Sequence, residues 1–109
     1  TQDGETEDIT ISFFSNNEAT TNSNFELFQN RPNPWNNSTI IPFQLDPGGD
    51  ARLTVYDMAG KLVYEVADYF PEGYHEISIS RNDLPAIGLF YYTLEAGEQR
   101  ATRKMVLTD

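Results

Sequence analysis

From residue 25 onward, apolar residues recur at every second position and turn-forming residues interrupt them every eight to twelve positions or so, a spacing that admits short β-strands and little else. In residues 39–45, Ile41, Phe43 and Leu45 share one side. Pro42 faces the other way and has no N–H to give, so an edge strand or a bulge is predicted there. Asp46-Pro-Gly-Gly-Asp50 turns the chain. Residues 51–56 set Leu53 and Val55 against Arg52, Thr54 and Tyr56, Asp57-Met-Ala-Gly60 makes a tight turn with Gly60 at positive φ, and residues 61–67 complete the hairpin. After a breaker over 68–73, Ile77 and Ile79 face the core while Glu76, Ser78 and Ser80 face water. Residues 81–86 cross over, 89–94 are apolar on both faces and predict a central strand, Gly97 turns, and 99–108 close the domain. About seven strands with essentially no helix predict an all-β fold, an immunoglobulin-like antiparallel β-sandwich.

A chain of 109 residues has room for one such domain. Seventeen Asp and Glu against seven Lys and Arg give a net charge of −10, which repels nucleic acid and anionic bilayers at long range. No nucleic-acid partner is therefore expected. With no Cys there are no disulfides, thiolate zinc sites or cysteine nucleophiles. The longest apolar run, residues 87–92, is interrupted by Gly88 and falls far short of the ~18–20 residues of a membrane helix, so no transmembrane segment is predicted.

Upstream of the sandwich the composition shifts. Asp3, Glu5, Glu7, Asp8, Glu18 and Glu26 precede the first base, and residues 15–24 are polar enough to read as a linker. Residues 9–14 alternate like a half-buried strand, which is either the last strand of a preceding domain, the favoured reading, or an extra strand of this one. The acidic start lacks the basic and then apolar plan of a signal peptide, so the chain reads as a piece of something longer. The division expected is 1–24 as linker and end of a preceding region, and 25–109 as the sandwich.

Catalytic patterns are missing. His75 is the one histidine and starts a strand, and no Gly-x-Ser-x-Gly elbow presents a nucleophile. Glu95 and Glu98 flank a turn as solvated charges. Asp46, Asp50 and Asp57 sit where turns favour Asp and lack the spacing of a calcium loop, and Asn36 and Asn37 read as turn residues. No enzyme activity, cofactor or metal is predicted.

Three segments stand out instead. Pro32 and Pro34 fix their own φ and hold Arg31 and Asn33 extended, giving a stiff stretch that loses little entropy on recognition. The same stretch equally serves to carry Trp35 over the open end of the core. Gly88 permits either a backbone conformation closed to other residues or a close approach by a neighbouring strand. The last strand carries Arg100, Arg103 and Lys104 in an otherwise acidic chain. As a terminal edge it suits β-addition to a receptor strand, while the same charges also guard an edge against aggregation. Edge strands also leave a dimer with a second copy open.

Taken in order, Phe25-Glu-Leu-Phe-Gln-Asn-Arg-Pro-Asn-Pro34, the polar turn 36–39, residues 53–63, Gly88-Leu-Phe-Tyr91 and Lys104-Met-Val-Leu107 resemble the C-terminal sorting domain of the type IX secretion system, an immunoglobulin-like module of cargo proteins in Bacteroidota. Phe90 stands where that family has Tyr and lacks its hydroxyl. The resemblance implies a non-catalytic module that directs an N-terminal passenger through the periplasm and the outer-membrane translocon to the cell surface. A surface sorting protease would cut near the polar linker while the passenger is attached to lipopolysaccharide or released. It implies recognition through Pro32, Asn33 and Pro34, through Gly88, Leu89, Phe90 and Tyr91, and through Lys104, Met105, Val106 and Leu107. A second reading is an accessory immunoglobulin-like module that binds carbohydrate or a surface protein, with Trp35, Tyr69, Phe70 and Tyr74 exposed for stacking.

Overall fold

The computed structural model describes residues 24–109. The strand expected at 9–14 and all but the end of the expected linker lie outside the described residues. Strands β1 (Glu26–Leu27), β2 (Ser38–Leu45) and β5 (Gly73–Ser80) form one antiparallel sheet, ordered β1-β2-β5. Strands β3 (Gly49–Asp57), β4 (Leu62–Phe70), β6 (Gly88–Ala96) and β7 (Gln99–Leu107) form the other, ordered β4-β3-β6-β7. The expected all-β class and sandwich are met. Between β5 and β6 the chain makes a 3₁₀ turn, Arg81–Asp83, whose N-terminus is capped by Ser80. The Ser80 hydroxyl accepts the Asn82 N–H and the Asp83 carboxylate accepts the Ser80 N–H, which satisfies donors that a helical start leaves unpaired.

The core follows from the alternation. Ile41, Phe43 and Leu45 of one sheet meet Leu53, Val55, Tyr92, Leu94 and Met105 of the other, all buried. Burying each such aliphatic or aromatic side chain contributes about 1.5–3 kcal/mol before ordering entropy is subtracted. At the β3–β4 turn Gly60 has φ +86°, as expected, and Asp57 caps the turn by accepting the Ala59 and Lys61 N–H groups, each at 2.9 Å.

Two local expectations need correction. β4 runs on to Phe70, so the predicted breaker over 68–73 shrinks to residues 71–72. The ladder continues because β3 already begins at Gly49, which pairs with Phe70, and the Phe70 ring packs edge-on against Phe43 at 5.2 Å. Pro42 lies not on an edge but in the middle strand of its sheet. Its carbonyl accepts the Phe28 N–H at 3.0 Å, so the side of β2 lacking an N–H faces the end of the short strand β1. The Phe28 carbonyl, left without that donor, receives the Tyr92 hydroxyl at 2.8 Å. The register shift falls elsewhere, between Val55 and Tyr56.

β6 is central, as the apolar run 89–94 predicts, yet its faces are unequal. Phe90, Tyr92 and Leu94 are buried, whereas Tyr91 on the outer face is exposed and pairs laterally with Tyr56 and Lys104.

The strands run between two ends. At the end where the described chain starts, residues 46–48, 71–72 and 97–98 connect strands; at the far end lie residues 32–37, the 58–61 turn, the 81–87 crossing and residues 108–109.

Candidate functional site

Residues 28–35 leave β1 on one sheet and cross to the margin of β7 on the other. Backbone groups on such a crossing need partners, and buried side chains supply them. Asn30 is 2% exposed. Its Nδ2 donates to the Pro32 carbonyl and to Thr39 Oγ1, both at 3.0 Å, while Thr39 Oγ1 donates to the Pro32 carbonyl at 2.9 Å. Tyr92 completes the set from the opposite sheet, its hydroxyl accepting the Asn30 N–H at 2.9 Å and donating to Phe28. Burial raises the Tyr92 pKa to about 12, against the lowering effects of the Asn30 N–H bond and the Arg103 charge.

The crossing segment then straps the outer edge of β7. Gln29 Nε2 donates to the Lys104 carbonyl at 2.7 Å, the Val106 N–H donates to Asn33 Oδ1 at 2.9 Å, and the Val106 carbonyl accepts the Trp35 N–H at 2.9 Å. The Thr108 N–H donates to the Trp35 carbonyl at 2.8 Å, which makes Trp35 and Leu107 a parallel bridge. Further along, Arg103 Nε donates to the Leu27 carbonyl at 2.7 Å. The final strand was expected to offer an open edge for β-addition; over residues 104–108 that edge is already hydrogen-bonded within the molecule. The cause is Trp35, whose indole is 2% exposed and whose insertion into the core draws residues 33–35 alongside β7. Its Nε1–H has no partner among the described residues, a cost of about 1–3 kcal/mol that burial of the ring offsets.

The three segments singled out by sequence come together here. Gly88 pairs with Leu107, Leu89 with Val106, Phe90 with Met105 and Tyr91 with Lys104, and Asn33 holds Val106 from the other side. Pro32, Asn33 and Pro34 are exposed, as are Tyr91 and Lys104, and Leu89 and Val106 are half-buried. Phe90, Met105 and Leu107 belong to the core and present nothing to a partner of the folded domain. Gly88 has φ +140° and open space where a Cβ would stand, so the glycine serves its own backbone conformation rather than a close neighbour. Sequence reasoning missed Gln29, Asn30, Thr39 and the Tyr92 hydroxyl. The first three resemble turn residues, and the only signal for the network was a Tyr at a core position.

The aromatic set of the binding-module reading does not assemble. Trp35 is buried and Phe70 packs against the core, while Tyr69 and Tyr74 stand on different sheets. The Tyr74 hydroxyl is engaged, donating to Glu76 at 2.9 Å and accepting from Arg31 at 3.0 Å, and the Glu76 bond raises its pKa. His75 is half-buried, its Nε2 2.6 Å from the Pro71 carbonyl and its ring against Phe43 and Phe70.

Charge divides the two ends. Around the turns where the described chain starts stand Glu26, Asp46, Asp50, Asp68, Glu72, Glu95 and Glu98, with Arg52 and Arg100 as the bases, paired to Glu65 at 3.4 Å and to Glu95 at 3.7 Å. The far end balances Asp57, Asp83 and Asp109 against Lys61, Arg81 and Lys104, none of the three ion-paired among the described residues.

The model of a family described as a secretion system C-terminal sorting domain matches residues 31–108. The chain belongs to this family. No curated protein matches it. The domain is a sorting signal of type IX secretion, directing the protein that carries it to the cell surface, and membership implies contact with the type IX machinery. All three motif segments of this sorting domain lie at or run into its far end. Among the described residues no helix is long and apolar enough to cross a membrane.

Proposed function

We propose that the type IX translocon of the outer membrane reads the far end of the folded sandwich, and that the domain carries its passenger there without chemistry of its own. The observation behind this reading is the convergence of residues 32–34, 88–91 and 104–107 on one strapped corner. Pro32, Asn33 and Pro34, with Leu89, Tyr91, Lys104 and Val106, form the accessible part of the signal. Gly88, Phe90, Met105 and Leu107 act by holding that surface in shape. A signal read as a fold loses nothing to ordering when it is recognised. The passenger lies N-terminal to the domain, passes through the periplasm, and is separated by the surface sorting protease near residues 15–24. Because the β7 edge is occupied, the translocon meets side chains and the strap rather than adding a strand at 104–108. Any pairing of two copies would use β4 or β5, the long strands among the remaining sheet edges.

The test places a reporter ahead of the full 109-residue chain in a type IX host. Removing residues 104–109 would strip Met105 and Leu107 from the core, so surface substitutions are the cleaner probe. Tyr91→Ser with Lys104→Glu should leave the melting temperature of the purified protein nearly unchanged and hold the reporter in the periplasm. Undiminished export of that variant would contradict the reading.

A further inference from the structure

Beside the strapped corner, the 58–61 turn and the end of the 81–87 crossing enclose a cleft of about 260 Å³, lined chiefly by Asp57, Met58, Ala59, Pro85, Ile87 and Leu89. Met58 is 71% exposed and Ile87 52% exposed, and the two stand together at one cleft rather than scattered. On the adjoining outer sheet face exposed Leu62 pairs with Tyr56, and Tyr56 with exposed Tyr91. Four of the exposed large apolar side chains thus gather at the far end, and neither sandwich packing nor turn chemistry requires Met58 or Ile87. The polar group of the cleft, the Asp57 carboxylate, is committed to the Ala59 and Lys61 N–H groups of its own turn.

Deepening the sorting reading, on which it rests, we infer that this cleft receives an apolar side chain from a protein of the secretion machinery, and that Met58 and Ile87 are the anchors of that contact. Shape and charge set the partner's chemistry. A concavity of this volume accommodates about one large side chain and so fits a protein loop better than a bilayer, which rewards protruding apolar groups. Lys61 closes the same turn as Met58, and Lys104 stands beside Tyr91, both without an acid partner among the described residues. They suit acidic groups around the inserted side chain, and their charges steer the encounter. The opposite end, crowded with carboxylates, would repel the same partner.

The experiment compares three versions of the reporter fused to the full chain: unaltered, Met58→Ser with Ile87→Ser, and Tyr69→Ser with Tyr74→Ser. The last pair removes similarly exposed apolar area away from the cleft. Both double variants should melt within a few degrees of the unaltered protein, since none of the four side chains is buried. Surface reporter should fall on the order of tenfold for the cleft variant and stay level for the control. If the unaltered chain itself fails to export, the sorting reading falls and the inference falls with it. If it exports and the cleft variant exports equally, only the inference is overturned. Equal loss in both double variants would also overturn it, by showing an effect of exposed apolar area in general. Binding of the purified chain to phosphatidylethanolamine–phosphatidylglycerol vesicles, abolished by Met58→Ser with Ile87→Ser, would assign the cleft to lipid and overturn the protein partner.

Discussion

Where the described chain starts, carboxylates crowd the turns and only Arg52 and Arg100 answer them, each already in an ion pair; at the far end charge balances, and Met58, Leu62, Ile87 and Tyr91 stand exposed. The same six long strands reach both ends, so the contrast is not a by-product of the fold. It lies in what fills the gap between the sheets. The far end is roofed by Trp35 and pinned by Asn30, Thr39 and Tyr92, whereas the opposite end is closed by short turns. On the proposed reading, recognition and stability share one region: a partner that reads the far end reads whether the domain has folded. The acidic end keeps like charges close together, which favours solubility over contact.

Breaking the roof should have the largest effect. Trp35→Ala removes a fully enclosed indole and frees the β7 edge, and should cost about 3–5 kcal/mol, a large part of the margin of a domain this small. Urea denaturation measures it, and a loss below 1 kcal/mol or so would show that the strap is not held by the indole.

Next comes the polar pin. Tyr92→Phe deletes the bond to the Phe28 carbonyl and leaves the buried Asn30 N–H unpaired, at about 1–3 kcal/mol. It should also change the alkaline limb of stability. The folded state holds the Tyr92 proton to about 12, above the ordinary value of 10.0 that applies once the chain unfolds. Its stabilisation is thus complete below pH ~10 and is lost as pH rises toward ~12. Urea midpoints followed across that window should fall more steeply for the unaltered protein than for Tyr92→Phe; parallel slopes would mean the hydroxyl is not shielded.

A smaller effect is expected at the exposed strap. Asn33→Ala removes the acceptor for the Val106 N–H and should cost about 0.5–1.5 kcal/mol, with faster hydrogen exchange at the Val106 amide than in the unaltered protein. The smallest belongs to the acidic end, where Glu72→Gln with Glu98→Gln should change stability by no more than about 0.5 kcal/mol and leave export intact.

The sequence made the core legible because period-two alternation is a local property: Ile41, Phe43, Leu45, Leu53, Val55 and Ile79 are all inward as their spacing requires. It also singled out the three segments that meet at the far end. What it could not carry was the lateral arrangement. Pro42 argues for an edge only if nothing else can take up the unpaired carbonyl opposite it, and the Tyr92 hydroxyl does so from the other sheet. The closed edge of β7 depends on Asn33 and Trp35, far away in the chain, and Asn30 in a polar stretch gave no sign of burial.

The account is tested most directly by carrying the contrast between the ends into export. In a type IX host, a reporter ahead of the full chain is compared with its Tyr91→Ser, Lys104→Glu and Glu72→Gln, Glu98→Gln versions, all three checked for equal melting temperature. The account predicts that the far-end version stays in the periplasm while the acidic-end version reaches the surface like the unaltered chain. Export of the far-end version, or retention of the acidic-end version alone, would contradict it.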